Sequence, residues 1–241
     1  MAIRKQAAVR RKPAAKSQQI AFLQTLQARF PGARIYPSDL QTESILGNTT
    51  KYIFNVLASD GGTNGNVTAN EIRLNKTDVF LATHMAICIY KIPSATPTDA
   101  QEIQTILNTF PNPLIYTGVA EAIALEALYQ AGILQVIVND DVFIDQFKVQ
   151  RCRRVGQAQQ GVGPAVITQR DEWDSQTTPF IPLERPIEFN GDTKINMNIT
   201  IPTAVNMAGT SSTNVIAILS RGYLVTAINS TATPKARKRR R

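Results

Sequence analysis

Across 241 residues there is one histidine, one tryptophan and only two cysteines. A lone His84 excludes a paired-imidazole metal site, and the ligand spacing of a structural zinc site is absent. Cys88 and Cys152 stand far apart in unlike contexts, so the sequence predicts neither a CxxC redox pair nor a disulfide framework. There is no GxGxxG and no GxxxxGK[ST], and therefore no loop built to cradle phosphate. The glycines of GQAQQGVGPA (Gly156, Gly161, Gly163) lack the strand–turn–helix setting that such a loop requires. No apolar run approaches the roughly 20 residues of a membrane span. The basic N-terminus is not followed by an apolar stretch, so no secretory signal is read there. These absences predict a protein without cofactor or catalytic set, made in a reducing cytoplasm. His84, inside LATHMAICIY, reads as a strand residue with a structural partner.

The two ends lack acid. Arg4, Lys5, Arg10, Arg11, Lys12 and Lys16 lie in the first 19 residues, and Lys235, Arg237, Lys238, Arg239, Arg240 and Arg241 in the last 11. Neither stretch holds an Asp or Glu. Net charge is +8, yet those twelve cations account for more than all of it: the remaining 14 Lys and Arg face all 18 acidic residues. The body is mildly acidic and the ends strongly basic. Residues 1–16, rich in Ala, Lys, Arg and Pro, read as a flexible arm and 231–241 as a second tail, disordered on their own. Mobile cations without local counter-charge suit a polyanion, since each that meets a phosphate releases a condensed counterion, whatever the base sequence. The tails carry no aromatic residue for base stacking.

Inside the body, 17–230, the text alternates between strand and turn signals. SQQIAFLQTLQARFPG predicts a helix with Ser17 as N-cap, an apolar stripe at Ile20, Phe22, Leu23, Leu26 and Phe30, and a stop at Pro31-Gly32. It either docks on its own domain, the favoured reading, or reaches a neighbouring subunit. KYIFNVLAS predicts a strand and DGGTNGN a long turn. EIRLNKTDVFLATHMAICIYKIP predicts two strands broken near Asn75–Asp78. TPTDAQEIQTILNTFP predicts a helix, with Thr98 and Gln101 at capping-box spacing and Ile103, Ile106, Leu107 and Phe110 at helical spacing. VAEAIALEALYQAG predicts a second, stopped at Gly132. Ile133–Val138 and Val142–Phe147 flank Asn139-Asp140-Asp141 as a hairpin. QAQQGVGPAVITQRDEWDSQTTPFIPLERP predicts a long loop with at most one strand. The clearest strand is INMNITI, where Ile195, Met197, Ile199 and Ile201 alternate with uncharged polar residues. NVIAILSRGYLVTAINS ends the body as a strand or a hairpin bent near Arg221-Gly222.

About eight strands with two or three helices inserted or flanking argue against regular βα alternation. They predict a mainly β fold, an antiparallel β-sandwich of jelly-roll type. Three polar clusters remain. Asp140, Asp141 and Asp145 sit at an apparent turn where Asp serves the backbone. Asp171, Glu172 and Asp174 surround Trp173. Either group offers oxygen ligands for a divalent cation, but the plainer reading of both is a solvated turn, so no metal is expected. Lys148, Arg151, Arg153 and Arg154 form an internal basic cluster. On a strand, Arg151 and Arg153 would share one face and Arg154 take the other. That strand is either an edge guarded by charge or a second-tier contact to phosphate or to a neighbouring subunit.

The arms at 1–16 and 234–241, with the segment PIEFNGDTKINMNITIP, resemble the jelly-roll shell proteins of viruses, bacteriophages among them. In that group sandwich bodies tile the capsid and basic arms face the genome. The charged C-terminal run departs from the commoner pattern of a single N-terminal arm. The resemblance implies a non-enzymatic virion structural protein, made in the host cytoplasm, whose partners are other copies of itself in a shell, packaged nucleic acid through the tails, and other virion proteins. The alternatives are a cellular nucleic-acid-binding protein and a phage connector or tail component. An enzyme using Asp171 and Asp174 ranks below both.

Overall fold

A computed structural model of the chain describes residues 15–60, 69–111, 115–116, 119–154, 159–160, 167–168 and 179–226, with side chains from Ile20 onward except at 119, 159–160 and 167–168. In chain order the elements are α1 (Ala15–Arg29), β1 (Arg34–Ile45), β2 (Asn48–Phe54), β3 (Val79–Ile92), α2 (Asp99–Glu102), α3 (Val119–Ala131), β4 (Ile133–Val138), β5 (Asp141–Lys148), β6 (Gln159–Gln160), β7 (Ile167–Thr168), β8 (Ile181–Asn190), β9 (Ile195–Asn206) and β10 (Thr213–Thr226). The expected mainly β architecture is present: eight strands form two antiparallel four-stranded sheets. Sheet A has the order β1-β10-β3-β8 and sheet B the order β2-β9-β4-β5, while β6 and β7 pair apart from both.

These orders reduce to one long antiparallel ribbon. β1 pairs with β10, β2 with β9, β3 with β8 and β4 with β5. Successive pairs of that ribbon fall alternately in sheet A and sheet B. Two further pairings, β10 with β3 and β9 with β4, roll the ribbon onto itself. The tip is the β4–β5 hairpin, where Asn139 takes the left-handed conformation (φ 55°) that Asn tolerates. PIEFNGDTKINMNITIP is a strand–turn–strand, but its strands lie in different sheets. Its turn is tied to the ribbon tip: Asn139 N–H donates to Lys194 O at 2.7 Å and Lys194 N–H to Asn139 Oδ1 at 3.1 Å.

The core lies between the sheets. Tyr52, Phe54, Leu134, Val136, Ile195, Met197 and Ile199 from sheet B meet Phe80, Ala82, Ile87, Ile89, Phe189, Ile216 and Ile218 from sheet A. Each such fully buried side chain contributes about 1.5–3 kcal/mol. β9 follows its predicted alternation, with Asn196 and Asn198 on the outer face. α3 caps one end of the core with Leu125, Leu128 and Tyr129.

Sheet A is also covered on its outer face. At one end α1 brings Leu26, Phe22 and Phe30 onto Val79, Leu81 and Val225. The favoured reading of this helix, docked on its own domain, is therefore correct, although it begins at Ala15 and Ser17 lies inside it. It ends where Gly32 takes φ 81°, a conformation that favours glycine. At the other end Leu107 lies against Tyr90, Ile92, Val215 and Ala217. Burial on both faces explains why β3 and β10 read as nearly continuous apolar runs.

Three expectations need correction. EIRLN makes no strand: Ile72 and Leu74 only bridge to Gln41 and Leu57. The helix from Thr98 lasts one turn. Its cap forms, with Thr98 N–H donating to Gln101 Oε1 at 3.1 Å, but Ile103 and Ile106 are exposed. The cause is β3. Its pairing with β8 ends at Met85↔Ile181, leaving Ile89 needing partners, and Asn108 supplies both hydrogen bonds at 2.7 Å. That demand draws the chain out of helix. β8 starts at Ile181, inside the expected loop. Of the two readings of NVIAILSRGYLVTAINS, the single strand is the one that forms.

The break near Arg221-Gly222 is a β-bulge whose extra residue is Thr83. The register passes from Arg221↔His84 to Gly222↔Ala82, so Phe80 and Ala82 face the core before the bulge and Met85, Ile87 and Ile89 after it. Thr83 Oγ1 donates to Arg221 O at 3.1 Å and lies 2.9 Å from His84 Nδ1. At Gly222 a Cβ would overlap the carbonyl oxygen of Leu81. Gly222→Ala is expected to cost about 3 kcal/mol or more in urea unfolding. Gly47→Ala, where a Cβ meets nothing within 4 Å, should change stability by less than about 0.5 kcal/mol. Equal effects would remove close packing at the bulge as the cause.

Candidate nucleic-acid interface

Of the twelve tail cations, Arg4, Lys5, Arg10, Arg11, Lys12, Lys235, Arg237, Lys238, Arg239, Arg240 and Arg241 lie outside the described residues, and Lys16 is described only as backbone at the start of α1. The points from which the two runs continue are well defined. Register pairs Arg34, the first residue of β1, with Thr226, the last of β10. α1 packs against this same corner: Phe22 and Tyr223 have ring centres 5.6 Å apart, and Leu26 meets Val225. The leading helix and the end of the last strand thus share one end of sheet A.

Arg34 is exposed there, and two other body cations near this end of sheet A are paired with acids. Arg29 pairs with Glu188 at 2.6 Å, and Arg221 with Asp39 at 3.2 Å while lying 3.9 Å above the Phe180 ring. Both pairs are largely exposed and contribute little to stability.

The second-tier cluster is not on a strand. Val149–Cys152 is a 3₁₀ turn following β5, so the face-sharing expected of Arg151 and Arg153 does not apply. Val149 and Cys152 point into the core while the arginines go outward in separate directions. Arg153 pairs with Glu126 of α3 at 2.6 Å. Arg154 folds back, its guanidinium donating to Arg151 O at 3.0 Å and Arg153 O at 3.2 Å. Arg151 is exposed, 5.1 Å from the centre of the Phe147 ring. Arg153 and Arg154 thus serve the fold, and Arg151 has its charge most open to solvent.

Asp140 is exposed at the hairpin tip, and Asp145 accepts from Gln135 Nε2 at 3.2 Å. Asp171, Glu172, Trp173 and Asp174 lie outside the described residues. Among the described residues no group of three His, Cys, Asp or Glu is arranged to hold a metal ion. Both thiols are buried and pushed up to about 12, Cys88 by desolvation and the nearby Cys152, Cys152 by desolvation. They stay protonated and weakly nucleophilic at neutral pH.

Two features escaped sequence reasoning. One is an open groove of about 780 Å³ walled by Gln101, Gln104, Thr105, Thr210, Ser211 and Ser212. Lys91 and Glu121, also in its lining, pair at 2.9 Å, and Asn214 Nδ2 donates to the same carboxylate at 2.8 Å. The other is a fully buried trio, Glu43, Tyr90 and Glu102. Its only signal in the sequence is an acid placed within a strand, and its partners depend on which segments meet over sheet A.

No protein-family model matches this sequence, and no curated protein matches it.

Arg153→Ala is expected to lower unfolding free energy by about 1 kcal/mol, because its partly shielded pair joins α3 to the 3₁₀ turn. Arg151→Ala should change it by less than about 0.5 kcal/mol. Urea titration separates the two, and the reverse order would contradict these assignments.

Proposed function

We propose that this chain is a virion structural protein. Its sandwich bodies pack side by side in a shell, and its basic ends neutralise packaged nucleic acid. One observation carries the reading: a hairpin ribbon folded into two four-stranded antiparallel sheets, an arrangement that suits a jelly roll, with α1 and the end of β10, which the two acid-free cationic runs adjoin in sequence, at one corner of sheet A. Charge and body are separated in the way that a layer with one genome-facing side requires. Arg29 and Arg221 are matched by acids, and the reading assigns polyanion binding to the tails. On the outer face of sheet B the two central strands present uncharged groups, Asn196, Asn198 and Gln135, beside the half-exposed Ile53; this supports lateral packing, since covering such groups avoids the cost of desolvating charge.

The mechanism is electrostatic and mechanical. Tails that neutralise phosphates bind any nucleic acid and lower its self-repulsion, while the bodies supply the contacts between copies. Affinity then falls with salt by a slope of about 0.7–0.9 per phosphate neutralised.

The full chain should form particles or rings by negative-stain microscopy, at least when nucleic acid is present. Replacing the tail Lys and Arg by Gln should leave the unfolding transition unchanged, weaken single-stranded DNA or RNA binding by at least about a hundredfold at low salt, and flatten the salt slope. A monomer under every condition would sink the shell reading. Undiminished binding by the neutralised variant would sink the role of the tails.

A further inference from the structure

Glu43, Tyr90 and Glu102 come from three segments and meet over the outer face of sheet A. Glu43 lies on β1, Tyr90 on β3, and Glu102 closes the single turn of α2 above them. The Tyr90 hydroxyl is 2.5 Å from Glu43 Oε2 and 2.8 Å from Glu102 Oε1. A phenol has one proton and can donate it to one of these oxygens. Its second short contact is a hydrogen bond only if that carboxyl carries a proton and donates it. The geometry therefore calls for a proton on a carboxyl beside Tyr90, and burial favours it on Glu43.

Glu102 is also the fastening point of its surroundings. Its Oε2 accepts the Ala69 N–H at 2.8 Å, and its carbonyl accepts Asn70 Nδ2 at 3.1 Å and Thr105 Oγ1 at 2.7 Å. The strap from α2 to residue 107 is anchored at its far end by the Asn108–Ile89 bridge and by Thr109 Oγ1 donating to Arg154 O at 2.6 Å. At its near end the trio does the holding.

We propose that the Glu43–Tyr90–Glu102 trio is a proton-dependent latch that holds α2 and its strap on sheet A at low and neutral pH and releases them as pH rises. The surrounding charges favour this sense. Beside Glu43, the 69–74 segment presents Glu71 and Arg73, paired at 3.5 Å, and the Glu43 N–H donates to Glu71 Oε1 at 3.4 Å. Gln41 Nε2 donates to Glu43 Oε1 at 2.6 Å. On β3, Lys91 is engaged with Glu121 in the groove. β10 presents only Val215 and Ala217 there, and Asp99 of α2 is exposed. Three carboxyls thus share a buried site with one arginine. Burial, then the hydrogen bond from Glu102, pushes the Glu43 carboxyl up from 4.5 to about 8.

The sign follows from proton counting. The closed form keeps a proton that an opened, solvated carboxyl gives up above its ordinary 4.5, so closure is strongest below that value and is lost as pH rises to about 8. Across this window the opening equilibrium should rise by up to about tenfold per pH unit, and level off above it. The opened strap would uncover Tyr90, Ile92, Val215 and Ala217. This latch is independent of the shell reading.

Hydrogen–deuterium exchange on the full chain between pH 5 and 9, corrected for intrinsic rates, tests it. Protection at 99–107 and 69–74 should fall up to about tenfold per pH unit and flatten near pH 8, while β4 and β9 do not follow that slope. In a Glu43→Gln, Glu102→Gln variant the dependence should vanish, since amides supply donors without a titrating proton. A pH-independent wild type, a slope shared by β4 and β9, or an unchanged slope in a folded variant would each overturn the latch. Should the variant not fold, the wild-type profile decides alone.

Discussion

The structure depends on the antiparallel pairing of β10 with β3. The last strand of the body lies between the first and the third, and hydrogen-bonds to both along almost its whole length. Without that pairing the ribbon β1–β10, β2–β9, β3–β8 and β4–β5 remains unrolled, and its two sheets have no reason to face each other. Because the partners are remote in sequence, closure of long loops precedes most of the stabilising burial. The pairing is also intolerant in detail. The Thr83 bulge reverses which residues of β3 face inward, and the backbone contact at Gly222 leaves no room for a side chain.

Closing the roll has a second consequence. It brings α1 and the end of β10 to one corner of sheet A, where α1 lies over Val79, Leu81 and Val225. In chain order the two basic runs respectively adjoin that helix and follow that strand. The arginines inside the body belong to a different economy. Arg29, Arg153 and Arg221 each have an acid within 3.2 Å. The trio under α2 adds a component of opposite polarity, a buried acidic site whose cohesion depends on a proton.

Legibility varied with the range of the interaction. The Ile195–Ile201 alternation, the α3 stripe with its Gly132 stop, and the Asn139-Asp140 turn each express local rules, and each formed as read. The helix predicted from Thr98 obeyed its cap and then stopped, because an unpaired Ile89 on β3 needed Asn108 more than the helix did. EIRLN has strand composition, yet its backbone found only bridges at the margin of β1 and beside Leu57. The arginines at 151–154 were read on a strand because two fall on alternate positions. Burial of Val149 and Cys152 against α3 turned the segment into a 3₁₀ turn instead. Glu43 and Glu102 are 59 positions apart, and no local pattern joins them.

From the amino-acid order alone came the segregation of charge, the β-rich class, the absence of paired metal or redox ligands, and most strand cores. Those follow from composition and from periods of two and 3.6 residues, which neighbouring positions settle among themselves. Which strand pairs with which, where β3 changes face, how far α2 extends, and that two carboxyls meet at the Tyr90 hydroxyl were decided by the fold. Each depends on atoms brought together by the rolled ribbon, and hydrogen bonding and desolvation act on that proximity rather than on sequence distance.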